Sequence, residues 1–164
     1  MASWQFGNSK KTTLIQVFSF IIPILLSKKQ VFYFHLLTFN HMNFTDLFAY
    51  KKAFELAMKI FEYSKSFPLE EKYSLTDQIR RSSRSVCTNL GEAYRKRRYP
   101  AHFVSKLSDA DMENTETQIW LSFAKECQYL PKETTELLTQ KSIEIGNLLG
   151  YMIAHPEKFG SSKT

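Results

Sequence analysis

The sequence predicts an all-α protein, an antiparallel up-down-up-down four-helix bundle. Four apolar runs of about 20 residues repeat at spacings of three and four, the period of helices buried along one side. Glycine and proline are scarce, with five of each among 164 residues, so few breaks interrupt long helices. Aromatic residues make up 15% of the chain, and its length supports one sizeable core.

The first helix is predicted over about 46–66. Asp46 is a plausible cap, and Pro68 marks the end because the residue before a proline is biased away from helical geometry. The expected buried stripe repeats at three and four and is widened on both sides: Leu47, Phe48, Tyr50, Ala53, Phe54, Ala57, Ile60 and Phe61.

The second helix is predicted to run from a cap at Ser74 or Thr76 to about Arg98, where Pro100 begins the next helix. The third and fourth helices are expected over about 101–129 and 132–154. Their predicted buried residues are Phe103, Val104, Leu107, Ala110, Thr117, Trp120, Leu121, Ala124, Leu138, Ile145, Leu148, Leu149 and Met152. These helices define a bundle over 43–154, followed by a short polar tail, 155–164, that we expect to fray.

Residues 1–42 differ in composition from the rest of the chain. Residues 1–41 contain four lysines and no acid, with a strongly apolar run over 14–26. We interpret this leader as an extension translated from a misplaced start, with Met42 as the natural beginning. A membrane-associating segment and an export signal are the alternatives, although Pro23 and the short apolar run argue against a spanning helix.

Positive charge in the remaining chain is local. The net charge of the whole chain is +6, but residues 42–164 hold 18 basic and 16 acidic residues. Seven of these basic residues lie between Gln78 and Arg98, against one acid, Glu92. Such a patch indicates a directed contact with a polyanion more than general adhesion.

The predicted second helix places this charge along one side. At about 100° per residue, four arginines fall within about 60° of one another: Arg80, Arg84, Arg95 and Arg98. Guanidinium groups at one-turn spacing suit phosphate oxygens, because each presents a planar fork of donors. We therefore predict contact with RNA or DNA through Arg80, Arg81, Arg84, Arg95, Lys96, Arg97 and Arg98. A solvated face, or ion pairs with acids on a neighbouring helix, is the alternative.

A second polar stripe lies between these arginines and the apolar side. It consists of Gln78, Ser85, Asn89 and Glu92, and we expect Glu116 of the third helix to join it. The stripe is typical of a hydrogen-bonded seam between helices or subunits, although it could also bind a ligand. The acids of the third helix are expected to answer the arginines of the second: Asp109, Asp111, Glu113 and Glu116.

No chemistry-bearing motif supports an enzyme. The Glu-x-x-His pairs of diiron bundles are absent from the sequence, as are a glycine-rich phosphate loop and a serine with a histidine partner in a fixed context. Cys87 and Cys127 lie outside any CxxC motif, so we expect reduced thiols packed in or near the core of a cytoplasmic protein. We predict no metal, no cofactor and no small-molecule substrate.

The order of motifs resembles the four-helix-bundle proteins encoded in intervening sequences of bacterial large-subunit ribosomal RNA genes. The matching positions are Phe44 with Leu47, Ala53 with Leu56, Phe67-Pro68 with Glu71, Leu75, Gln78-Ile79-Arg80-Arg81, Ser85, Asn89 and Glu116-Thr117. Two positions depart from the pattern: the usual Ala-Glu-Gly is Gly91-Glu92-Ala93, and Asn114 stands where glutamate is common.

This resemblance implies a homo-oligomer, usually a pentameric ring, with a link to RNA. A similar fold serves as the accessory protein of diversity-generating retroelements, where a basic pentamer engages reverse transcriptase and nucleic acid. We therefore expect a non-enzymatic, oligomeric bundle that associates with RNA or DNA. The alternative is an assembly or adaptor module that binds a protein partner and uses its arginines in ion pairs between subunits.

Overall fold

The computed structural model describes residues 43–161, so the interpretations of the leader lie outside this range. It contains four long helices: α1 (Phe48–Tyr63), α2 (Leu75–Lys96), α3 (Pro100–Glu126) and α4 (Lys132–Ala154). Short 3-10 turns occur at Phe44–Asp46, Ser64–Ser66, Leu69–Glu71 and Pro156–Phe159. Residues 43–161 contain no strand, and the prediction of an all-α four-helix bundle is confirmed.

Each helix packs against its neighbours in sequence, and α1 also packs against α4, which closes the bundle. Two ion pairs cross the contact between α1 and α4. Lys52 Nζ lies 3.0 Å from Glu144 Oε2, and Lys141 Nζ lies 2.9 Å from Glu55 Oε1. Residue numbers therefore rise on one helix as they fall on the other, which is the order expected for neighbours that run in opposite directions.

The core consists of apolar side chains, mostly aliphatic, contributed by all four helices. Its largest fully buried members include Ile60, Ile79, Leu90, Phe103, Leu107, Leu121, Leu138, Ile145 and Leu149. Full burial of such a side chain contributes about 1.5–3 kcal/mol relative to exposure, so these helices derive their stability chiefly from packing.

The buried side of α1 differs from the prediction. Ala49, Ala53, Leu56, Ala57 and Ile60 are buried, while Tyr50 and Phe61 are only half-buried. The prediction was wrong for Phe48 and Phe54, which are 61% and 51% exposed. The sequence of α1 contains two apolar stripes at helical spacing, and the stripe with the smaller side chains faces the core.

The ends of the bundle also differ in part from the predictions. The Asp46 carboxylate accepts a hydrogen bond from Asn43 N at 2.9 Å and so closes a 3-10 turn ahead of α1. Glu71 Oε2 accepts bonds from the Ser74 hydroxyl and from Leu75 N, and these bonds fix the start of α2. The expectation of a frayed tail is wrong for residues 156–161, because Pro156 and Ser161 are buried.

A layer of buried polar side chains crosses the middle of the bundle. Thr117 Oγ1 of α3 donates to Ser82 Oγ of α2 at 2.9 Å. About one turn earlier on α3, Asn114 Nδ2 donates to the Ser142 carbonyl of α4 at 3.0 Å, and Ser142 Oγ donates to Asn114 Oδ1 at 2.7 Å. These bonds satisfy polar groups that would be costly to bury alone, and they fix the register of α2, α3 and α4.

In this layer, Asn114 occupies a position where glutamate is common in the family that the sequence resembles. Asn114 is 1% exposed and is held by Ser142, which also accepts a hydrogen bond from Gln118 Nε2 at 3.0 Å. A neutral amide can be buried here without the desolvation cost of a carboxylate.

Candidate functional site

All seven predicted cations lie on or just after α2. The helix buries a continuous apolar side that includes Leu75, Ile79, Val86, Leu90 and Ala93, and this burial turns the charged residues outward. We call Arg80, Arg81, Arg84, Arg95, Lys96, Arg97 and Arg98 the cationic surface of α2. The helical rise separates Arg84 from Arg95 by about 16 Å, so the surface consists of two groups.

The first group lies against the end of α1. Arg80 Nε donates a hydrogen bond to Ser64 Oγ at 2.7 Å, and its Cζ lies 5.1 Å from the centre of the Phe61 ring. Arg84 Cζ lies 5.6 Å from the centre of the same ring. One half-buried aromatic ring thus supports two neighbouring guanidinium groups through cation–π contacts.

Arg81 differs because it is ion-paired. Its Nε and Nη2 donate to Gln78 Oε1 at 3.2 and 2.8 Å, and Nη2 also lies 3.2 Å from Glu116 Oε1. Trp120 Nε1 donates to the same Glu116 oxygen at 3.0 Å. Within residues 43–161, none of the other six members of the cationic surface has a carboxylate within ion-pair distance.

The second group, the last-turn cations, consists of Arg95, Lys96, Arg97 and Arg98. Arg97 Nη1 donates to the Tyr94 carbonyl at 2.9 Å, and its Cζ lies 4.0 Å from the centre of the Tyr94 ring. Arg95, Lys96 and Arg98 are exposed. Cations in the last turn also offset the negative end of the helix dipole, so this group has a structural role as well.

The predicted polar stripe is split between two partners. Gln78 and Glu116 bind Arg81, as described above. Lys106 Nζ of α3 lies 2.8 Å from Glu92 Oε2 and donates to Asn89 Oδ1 at 3.3 Å. Ser85 is half-buried and lines a surface groove. The stripe therefore forms much of a seam between α2 and α3, which was one of its two interpretations.

The acids of α3 answer the arginines of α2 only in part. Glu116 pairs with Arg81, but Asp109 Oδ2 lies 3.2 Å from Lys106 Nζ. Glu92, and then Asp109, raise the pKa of Lys106. Glu113 Oε2 is buried with no hydrogen-bond partner among residues 43–161. Burial, and then the nearby Glu116 carboxylate, raise the pKa of Glu113, while Arg81 opposes them.

An open groove of about 480 Å³ runs beside the first group of cations. We call it the Arg80 groove, and its lining is Lys72, Tyr73, Thr76, Asp77, Arg80, Arg81, Arg84, Ser85 and Thr88. Sequence reasoning missed the contributions of Lys72 and Tyr73, because they lie in the connection before α2, where no periodic pattern applies.

A second groove, of about 520 Å³, follows α2 toward the last-turn cations. Its lining is mostly apolar and comprises Phe44, Tyr50, Cys87, Thr88, Gly91, Glu92, Arg95 and Lys96. Burial raises the pKa of the Cys87 thiol to about 11, so this cysteine is a protonated, unreactive packing group at neutral pH. Cys127 is exposed, so the prediction of a packed thiol was wrong for this residue. In the part of the chain that the structure describes, no cluster of three or more potential metal ligands occurs.

No helix within residues 43–161 has both the length and the hydropathy needed to cross a membrane. The fold and the cationic surface together define a small helical-bundle protein with a basic helix exposed along one side.

Comparison with known proteins identifies the family of this helical bundle. Residues 45–151 match the 23S rRNA-intervening sequence protein family, and the chain belongs to that family. The crystal structure of a protein of unknown function from the S23 ribosomal protein family of Bacteroides thetaiotaomicron is similar, with 32% sequence identity and a TM-score of 0.59. The similarity covers 64% of this chain and 97% of that chain. No curated protein matches the sequence significantly.

Proposed function

We propose that this protein is a non-enzymatic, homo-oligomeric bundle of the bacterial cytoplasm that associates with RNA or DNA through the cationic surface of α2. One observation carries the proposal: six of the seven cations have no carboxylate partner within residues 43–161. Unpaired guanidinium and ammonium groups can bind phosphate oxygens without first breaking an ion pair. Binding of this kind is sensitive to salt and weakly selective for sequence.

Oligomerisation would multiply a modest contact. Repeated copies of the cationic surface raise the effective concentration of binding groups along one polyanion. Exposed apolar side chains at helical spacing on α3, Met112, Ile119 and Phe123, support contact with a second copy. A pentamer is the assembly that the family resemblance implies. Native mass spectrometry is expected to give a pentamer, and Ile119→Glu is expected to shift it toward monomer.

A filter-binding titration over a range of salt concentrations tests the nucleic-acid proposal. The test variant replaces Arg80, Arg84, Arg95 and Arg98 with alanine, and a matched control replaces Lys51, Lys59, Lys125 and Lys132 with alanine. Both variants lose four charges. Loss of four phosphate contacts is expected to reduce the log–log salt slope for a single strand by about 3 and to weaken binding at least about tenfold.

The outcome that removes the proposal is a folded test variant with unchanged RNA and DNA affinity. A second candidate, an adaptor that binds a protein partner and uses its arginines in ion pairs between subunits, is favoured by the exposed apolar side chains of α3, which suit a contact with protein. In that case the test variant would change the subunit number without any change in nucleic-acid affinity, and a protein partner would be the ligand.

A further inference from the structure

We infer that the Arg80 groove binds an unpaired nucleotide segment, with a phosphate on Arg80 and Arg84 and an adjacent base on the ring of Tyr73. This inference rests on the proposed function, and it narrows the ligand to single-stranded RNA or DNA. Three properties of the groove carry it: an exposed ring, available guanidinium donors and an open shape.

Tyr73 provides the surface for a base. It is 83% exposed and lines the groove, and Lys72 Nζ lies 5.0 Å from the centre of its ring. Leu69, on the same connection, is 81% exposed. These two are the most exposed of the large apolar side chains in residues 43–161. Aromatic rings next to cations are the usual stacking platforms for single-stranded nucleic acid.

Arg80 and Arg84 provide the donors for a phosphate. The bond from Arg80 Nε to Ser64 and the Phe61 ring hold these groups in place. Within residues 43–161, neither Nη group of Arg80 has a hydrogen-bond partner, and Arg84 makes no side-chain hydrogen bond. Both residues line the groove, so their terminal donors remain available to a phosphate at a spacing of one helical turn.

The modest net charge of the groove and the exposed ring of Tyr73 favour a single strand over a duplex. Lys72, Arg80 and Arg84 lie in the lining with Arg81, whose charge is offset by Glu116, and Asp77 contributes an exposed carboxylate. A duplex carries one charge per about 1.7 Å of its axis and keeps its bases stacked inside, so it cannot use Tyr73. A single strand can offer one phosphate and one base to this groove.

Fluorescence anisotropy on the full chain tests the inference with three labelled probes of about 12 nucleotides: single-stranded RNA, single-stranded DNA and a duplex of the same sequence. We expect both single strands to bind at least about tenfold more tightly than the duplex at about 0.1 M salt. The ratio of the RNA and DNA affinities then identifies the preferred sugar.

Variants of Tyr73 test the stacking of a base, because they leave the charge of the groove unchanged. Loss of a stacked base is expected to make Tyr73→Leu about 5- to 150-fold weaker for single strands and unchanged for the duplex, while Tyr73→Phe keeps its affinity. The matched control is Tyr99→Leu, which removes another exposed tyrosine beside the last-turn cations.

Two outcomes overturn the inference and leave the proposed function intact. In the first, single strands and duplex bind equally. In the second, Tyr73→Leu binds single strands as tightly as the original chain does. If no probe binds at all, the proposed function itself is wrong, and the inference is lost with it.

Discussion

The two groups of cations on α2 contain the same residue types but are held in different ways. In the first group, Arg80 and Arg84 contact side chains of the segment over 61–64, at the end of the neighbouring helix. In the last-turn group, Arg97 turns back onto Tyr94 of its own helix, and Arg95 and its exposed neighbours extend into solvent. Position along one helix therefore decides how far a charged side chain is immobilised.

This difference predicts different roles on binding. A side chain that is already held in place loses less conformational freedom when it meets a ligand, so more of its interaction energy appears as affinity. The exposed last-turn cations would instead raise the association rate through their field, and their contribution would weaken as salt screens it. Four predictions test the contrast, from the largest expected effect to the smallest.

The largest effect is expected from a comparison of two double variants. Arg80→Gln with Arg84→Gln removes the pair held by Phe61, and Arg95→Gln with Arg98→Gln removes an exposed pair without such support. Each variant should reduce the salt slope for single-stranded RNA by about 1.4, because each removes two charges. Loss of the held pair should lower affinity about 30-fold, and loss of the exposed pair about 5-fold. Equal losses in a binding titration would show that immobilisation does not matter.

The next effect concerns the aromatic support. Phe61→Leu removes the ring beneath Arg80 and Arg84 without changing any charge. Affinity for RNA should fall about 3- to 10-fold, because both arginines lose the ring that holds them before binding, while the salt slope stays constant. Phe67→Leu, at a ring that packs on Tyr129, is the control and should bind normally. A changed salt slope in Phe61→Leu would contradict this explanation.

The third prediction concerns stability, for which the last-turn cations are expected to matter more than Arg84. Arg95→Gln and Lys96→Gln should each lower the free energy of unfolding by about 0.3–1 kcal/mol, since both charges lie in the last turn of α2. Arg84→Gln, in the middle of the helix, lacks this dipole contribution. Urea unfolding at low ionic strength measures the difference, and added salt should reduce it. Identical values for the three variants would argue against a dipole effect.

The smallest effect concerns Glu113, beside the ion-paired Arg81. Burial raises the pKa of this carboxyl above its ordinary value of 4.5, so the folded protein binds the proton more tightly than the unfolded chain does. The free energy of unfolding should therefore fall as pH rises from 4.5 through the raised pKa, and solvent screening of this partly exposed group keeps the effect small. Glu113→Gln should remove this component from urea titrations across that range, and Glu126→Gln, at an exposed acid, should not.

Much of the fold could be predicted from the sequence because the residues that end its helices act locally. Pro68, Pro100 and Pro131 act on their own neighbours, and they separate helices whose observed ends lie within a few residues of the predicted ones. The buried side of α1 could not be predicted in the same way. Phe54 and Ala53 both belong to helical stripes, and the choice between them depends on how closely α2 and α4 approach.

The candidate site was predictable in its charges but not in its contacts. Helical phase placed Arg80 and Arg84 together, but their support by Phe61 joins residues about 20 positions apart, and no local pattern carries that information. The buried Asn114 had a usable signal, since it continues the spacing of Leu107 and Ala110 along α3. Tyr73 had none, because an exposed tyrosine in a connection is ordinary until its neighbours are known.

The buried hydroxyl pair of Ser82 and Thr117 has a consequence for how this chain can change in length. An α-helix turns by about 100° per residue. One residue inserted between Ser82 and Arg84 would leave the hydroxyl pair in place and swing Arg84 about a quarter turn away from Phe61. Insertions in the connections between helices would disturb neither the hydroxyl pair nor the position of Arg84 beside Phe61. Natural or engineered length variation should therefore be tolerated between the helices and rejected in the middle of α2.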